Sequence, residues 1–180
     1  MNVFQIVKDA FAQFTDNEVK PLHVGEVMNL WFLLVASEQN MRVEQVSYNI
    51  CQDKDLKKKI NELIHDVHGP MVKELQDFFK KEGIPNPNMT PEKVIGDYRT
   101  VPDGAKMSDE EIANIIAYNL VIGITAAVRG LTESVRTDVG YKFLKFQMTK
   151  VAFSVSYKKM MEEKGWINVP PYYNQELHIK

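Results

Sequence analysis

The chain has 180 residues, 44% of them hydrophobic and 26% charged, with 22 Lys plus Arg against 24 Asp plus Glu. That balance excludes a disordered, collagen-like or purely coiled-coil chain, and nine Phe, seven Tyr and two Trp can build a core without disulfide or metal staples. A net charge of -2 gives no broad attraction to nucleic acid or an anionic membrane, and the single Cys51 rules out an intramolecular disulfide or a CxxC knuckle and fits a reducing cytoplasm.

Val3, Ile6, Val7, Ala10, Phe11 and Phe14 recur at helical spacing, interrupted by Lys8 and Asp9, which predicts a docking helix over 3–14 rather than a signal peptide. The next pattern opens near Pro21 and predicts a helix over 22–51, about 45 Å long, with Val27, Trp31, Leu34, Met41 and Tyr48 facing the core. After a short turn, Leu56, Ile60, Leu63, Val67, Met71, Leu75 and Phe78 predict a helix over 53–82, bent near Gly69-Pro70 and stopped by Gly83. Residues 84–108, rich in Pro, Asn and Gly, read as a long connection.

Ser108 and Glu111 form a capping box that starts a helix over 109–137, and a further helix over 138–164 stops at Gly165. The uncharged run from Ile112 to Val128 carries Asn114, Asn119 and Thr125, so it reads as a helix buried in a bundle or dimer rather than a membrane span. The tail 165–180 has paired prolines and aromatics and no helical period, which predicts an extended strap. Short connections within each helix pair and one long crossover between pairs predict an all-α, ferritin-like four-helix bundle forming a single domain over 1–180.

Taken together, LHVGEVMNLW at 22–31, DEEIAN at 109–114, SVRTDVG at 134–140 and GWINVPPYY at 165–173 carry a resemblance over nearly the whole chain. The sequence resembles a family of uncharacterised proteins of spore-forming bacilli, placed in the ferritin-like superfamily and sometimes labelled "putative spore coat proteins". The resemblance implies a ferritin-like bundle from a sporulating bacterium and no settled activity.

A di-iron site in such a bundle needs a Glu from each of two helices and a Glu-x-x-His pair from each of the other two. Only Glu62 to His65 has that spacing, and at about 100° per residue from Ile60 the two fall near 200° and 140°, away from the core. Acidic residues are missing between Glu111 and Glu133 and between Asp138 and Glu162, so half of the ligand set is absent and no cofactor is expected. The same arithmetic places Glu38 inward with His23 and Gln45, Lys150 among Val139, Phe143, Phe146, Phe153, Tyr157 and Met160, and Asn119 beside Ile112, Ile115 and Ile116. An ion pair between Glu38 and Lys150, with Asn119 or Gln147 nearby, is therefore expected where a catalytic relative would hold metal. The competing reading is that local rotation lets one or both reach solvent.

His23 and Glu26 could supply half of a metal site, but in a first turn they serve more simply as cap and surface groups. His68 lies at the edge of the second stripe, and Glu74 falls on it, to be neutralised by Lys or Arg across the bundle. His178 reads as surface. Cys51 has no His or Lys beside it to make it nucleophilic. The small residues Gly123, Ala126, Ala127 and Gly130 allow close helix approach.

Two functions compete. The first is a non-enzymatic structural or interaction protein, cytoplasmic or spore-associated, which presents Trp166, Tyr172 and Tyr173 to partners such as spore coat proteins. The second is a degenerate ferritin-like protein that binds one metal or a small molecule through Glu38, His68 or the His23 and Glu26 pair. From Ile115 to Val128 the helix over 109–137 is apolar around its circumference, with Val121, Ile124 and Val128 opposite Ile115, Ile116 and Ile122, so one face needs cover from the strap, the 3–14 helix or a second subunit, and a homodimer is the favoured expectation.

Overall fold

The computed structural model describes residues 20–171. Four long helices make an all-α bundle: α1 (Val24–Ile50), α2 (three continuous pieces, Lys54–Glu62, a π-helical turn Leu63–His68 and Gly69–Glu82), α3 (Asp109–Glu133) and α4 (Thr137–Glu163). The pattern at 3–14 and the last part of the tail, 172–180 with Tyr172, Tyr173 and His178, lie outside the described residues.

Hydrogen bonds fix the helix directions. Asp109 at the start of α3 accepts from the Gln52 and Asp53 amides just past the end of α1, each at 2.9 Å, while Glu26 at the start of α1 accepts from Val135 and Arg136 beyond α3. α1 and α3 are therefore antiparallel neighbours. Lys164 reaches Asp53 and Asp55, Lys142 and Lys145 reach Glu74, and Arg136 reaches Glu82, so α2 and α4 are antiparallel as well.

The order is up, down, down, up, and the connection from Gly83 to Met107 must climb the whole bundle. It climbs along α1: Thr90 O accepts from Arg42, the Lys93 amide donates to Gln45, and Val94 and Gly96 bracket Asn49. One contiguous core, from Leu30 and Leu34 through Leu75 and Phe79 to Ile116 and Phe143, ties the four helices together.

Local chemistry sets the ends. His23 Nδ1 accepts from the Gly25 and Glu26 amides while Glu26 Oε2 accepts from the His23 amide at 3.1 Å, a reciprocal cap in which an imidazole takes the usual hydroxyl's part. Ser108 and Glu111 make the expected capping box on α3. Gly83, at φ 71°, closes α2 as its left-handed stop.

Two expectations shift. α3 ends at Glu133 rather than 137, because Glu26 draws the Val135 and Arg136 amides out of the helix and makes them the start of α4. On α1, Trp31 is 37% exposed, and the buried line runs instead through Leu30, Leu33, Leu34, Met41 and Ile50. The reason is that the outer side of α1 is as apolar as its inner side, so hydrophobicity alone does not set the phase.

The π-helical turn has an identifiable cause. Pro70 has no amide to donate to Asp66 O four residues back, and the Gly69 amide instead closes the wider loop to Ile64 O. A Cβ on Gly69 would stand 2.8 Å from that carbonyl oxygen, so glycine suits the position.

Candidate functional site

Of the five polar core candidates, three are buried: Glu38 and Lys150 are 1% exposed, and His68, expected at the edge of its stripe, is 2% exposed. Asn119 and Gln147 are only half-buried. The expected Glu38–Lys150 ion pair does not form. Glu38 faces Arg42 at 3.5 Å, while the negative charge acting on Lys150 is that of Glu44. Positions 38 and 44 stand about 120° apart on α1, so Glu44 takes the centre of the buried arc and Glu38 its edge against α2 and the crossover.

Glu44 is the residue that sequence reasoning missed. Its carboxylate oxygens lie 2.8 and 3.1 Å from His68 Nδ1, and it is 3% exposed. The spacing holds the line Glu26, Leu30, Leu33, Ser37, Met41, Glu44 and Ser47 in three- and four-residue steps, but it is polar at four of its seven places and gives way to the more apolar line through Trp31. Counting a regular helix puts His68 at the boundary of the stripe. The π-helical turn winds less per residue and brings it inward.

Lys150 enters from α4 and lies over Gly123 of α3, where an added Cβ would stand 2.6 Å from its Nζ. Among the described residues no hydrogen bond or ion pair within 4 Å holds that ammonium. Burial pushes its pKa down to about 8, against the pull of Glu44. Burial likewise raises Glu38, with Arg42 and the Thr90 backbone opposing, and pushes the Cys51 thiol up to about 12. Cys51 is thus an unreactive core group. Tyr157 completes the wall with its hydroxyl donating to Ala113 O at 3.1 Å.

The remaining candidates are structural. His23 is exposed, and Glu26, 1% exposed, spends its two oxygens on the His23, Val135 and Arg136 amides. Glu62 pairs with Lys59 and His65 is exposed, so both point away from the core as expected. Glu74 is neutralised by Lys142 at 3.0 Å and Lys145 at 2.7 Å; burial pushes its carboxyl up, but these two hydrogen bonds outweigh it and hold the pKa low. Trp166 is partly buried against the core, its carbonyl accepting from Asn114. Among the described residues no three His, Cys, Asp or Glu side chains stand close enough to hold a metal ion.

Two surfaces stand out. A groove of about 900 Å³ lies between α1, α2 and the crossover, with Glu38, Met41 and Ile64 among its lining and Arg42, Lys73 and Glu92 around it. On the other side, the outward faces of α1 and α3 are apolar and adjacent. Phe32 is 61% exposed, with Trp31 set edge-on to it at 6.4 Å, and Tyr118 and Val121 are 68% and 61% exposed. Between Val27 and Met41 the one charged residue is the buried Glu38, and between Ile112 and Val128 there is none. α3 is long and apolar enough to cross a membrane by length and composition, yet Ile112, Ile116, Leu120 and Ala127 on its inner side pack into the bundle.

Fold and site define a class: an all-α four-helix bundle with a buried Glu-His-Lys group and one apolar flank. The chain belongs to a family described as proteins of unknown function (DUF3231), whose model matches residues 11–178. It is 30% identical over 159 residues to the uncharacterised protein YvdQ of Bacillus subtilis, covering 88% of this chain and 93% of that one. A crystal structure named as a "putative spore coat protein" of Bacillus halodurans is similar with a TM-score of 0.83 and 28% identity, covering 87% of this chain and 98% of the other. A conserved hypothetical protein of Mycobacterium tuberculosis shares the fold alone, with a TM-score of 0.61 at 9% identity over 77% of this chain and 98% of that one.

Proposed function

We propose that the chain is a non-enzymatic structural or interaction protein of the spore, built on a ferritin-like bundle in which Lys150 takes the place of a bound cation. The observation that carries this reading is the uncharged outer flank of α1 and α3, since monomeric proteins rarely leave contiguous apolar patches of that extent uncovered. The closed core agrees with it: Glu44, His68 and Lys150 are 3% exposed or less, with Glu44 in contact with His68 and its charge acting on Lys150. The similarity to the Bacillus halodurans protein supplies the spore, and the up, down, down, up order with a single crossover supports the ferritin-like assignment.

The test is fractionation of purified spores from a strain carrying a tagged copy under its own promoter. The tagged chain is expected in the spore fraction after salt and detergent washing. Its recovery solely from the vegetative cytosol would overturn the spore assignment. A second reading, binding of a metal or small molecule, is favoured by one feature, the buried Glu38 carboxylate lining an open groove. Elemental analysis and native mass spectrometry of dialysed protein separate the two, since a stoichiometric bound species would displace the purely structural reading.

A further inference from the structure

We propose that the apolar flank of α1 and α3 is the contact between two copies of this chain, making an assembly of eight long helices. The proposal rests on the interaction reading above and names its partner.

Three observations choose a second copy over other occupants. The first is extent. The exposed hydrophobics of α1 fall at Val24 to Phe32 and again at Val43 and Val46, together spanning about 34 Å, and those of α3 from Ile115 to Val128 fill the interval between them on the neighbouring helix, so the flank draws on both helices. Such a face can supply most of the roughly 800 Å² per partner that a standard interface buries. The apolar pattern Val3 to Phe14 has 12 residues, and a helix of that length, about 18 Å, spans about half of the flank.

The second is composition. Trp31 and Phe32 on α1 and Tyr118 on α3 supply aromatic anchors toward the two ends of the flank, Val121, Ile122 and Val128 lie between them, and the charged Arg129–Glu133 pair borders the end nearer Phe32. A partner must itself be apolar in the middle with both signs at its rim, and this face meets that description. The third is symmetry. Because α1 and α3 are antiparallel and both apolar outward, a twofold axis lying in the plane of the flank sets helix on helix with like residues meeting near the centre, which is how an isologous contact closes without growing into a fibre. A bilayer is a poorer match, since the rim carries no excess of Lys or Arg to engage headgroups.

Sedimentation equilibrium and light scattering of the full chain at 1–200 μM, on the order of the range where μM contacts form, should give the dimer mass. Phe32→Arg and Val121→Lys should halve it with the helical circular dichroism intact, whereas Val155→Lys on the exposed side of α4 should leave it unchanged. Hydroxyl-radical footprinting of the unaltered protein provides a check that needs no variant. Trp31, Phe32 and Tyr118 should be protected at high concentration and labelled several-fold more on dilution.

A monomer at every concentration, or labelling that ignores concentration, would overturn the proposal. So would flotation of that monomer with phosphatidylcholine and phosphatidylglycerol vesicles, which would assign the flank to a lipid surface. A dimer mass that survives both flank substitutions places the contact elsewhere and also overturns it. Spore fractionation reads location alone, so the dimer and the spore assignment can fail separately.

Discussion

His68 Nδ1 lies between the two oxygens of Glu44, 2.8 Å from one and 3.1 Å from the other, with both side chains 4% exposed or less. Lys150 is the cation on α4 that feels the charge of Glu44, and among the described residues no other counter-charge acts on that ammonium. The group is therefore asymmetric. Glu44→Leu strands a buried ammonium and an imidazole together and is expected to cost about 3–5 kcal/mol, while Lys150→Met leaves Glu44 with His68 and should cost less than about 1.5 kcal/mol. Urea unfolding checks both. The double variant should recover most of the Glu44→Leu loss, whereas Glu38→Leu and Lys150→Met should add to within about 0.5 kcal/mol.

The pH dependence of stability should carry the mark of Lys150. Its pKa falls from an ordinary 10.5 to about 8 in the folded chain, so between those values the unfolded state binds more protons and stability rises with pH. Cys51, pushed up from 9.0 to about 12, and Tyr157, also raised by burial, act in the opposite sense above about pH 9. The difference between Lys150→Met and the parent isolates the lysine. Relative to the parent, the variant should lose on the order of 3 kcal/mol between pH 8 and pH 10.5. A difference that is flat with pH in chemical unfolding would contradict it.

Much of this architecture was legible because it depends on strong local signals. The Ser108 and Glu111 box, the Gly83 stop and the Pro- and Asn-rich stretch before Met107 set three boundaries and the crossover. What escaped was phase. On α1 both sides are apolar, so the spacing points Trp31 inward and leaves Glu44 unmarked. On α2 the count from Ile60 assumed a regular helix and missed the wide turn that carries His68 inward. The pairing of Lys150 was likewise out of reach, because deciding between Glu38 and Glu44 requires the rotation of α1 about its axis, which no local motif reports.

Glu26 joins the two helix pairs by bonding to the backbone that separates α3 from α4, at 2.8 Å to Val135 and 2.7 Å to Arg136. Glu26→Ala should cost about 2 kcal/mol, since it leaves the buried Arg136 amide and the part-buried Val135 amide without their acceptor. Amide hydrogen exchange should quicken selectively at Val135 and Arg136. Uniform acceleration across α4 would show that the cap instead governs global opening.

Two glycines on α3 should respond differently to the same methyl group. At Gly130 a Cβ would collide with the Phe143 ring, and Gly130→Ala is expected to destabilise by about 1–3 kcal/mol despite the better helix propensity of alanine. At Gly123 the obstacle is the tip of the Lys150 chain, which can be removed. Gly123→Ala alone should be costly, but in a Lys150→Ala background it should become neutral or favourable, as thermal melts of the four proteins would show.

The π-helical turn at Leu63–His68 works as a splice between two lengths of helix. The longer half, from Gly69, presents Leu75, Phe78 and Phe79 to the core and Glu74 to Lys142 and Lys145, while the shorter half presents Leu56 and Ile60. A regular helix of the same residue count would turn one half by about a third of a revolution against the other, and either the lysine clasp or the aromatic packing would be lost. The surplus residue is absorbed where Gly69 and Pro70 already loosen the ladder, so α2 can meet α1 and α4 along its full length while bringing an imidazole to the bundle's interior.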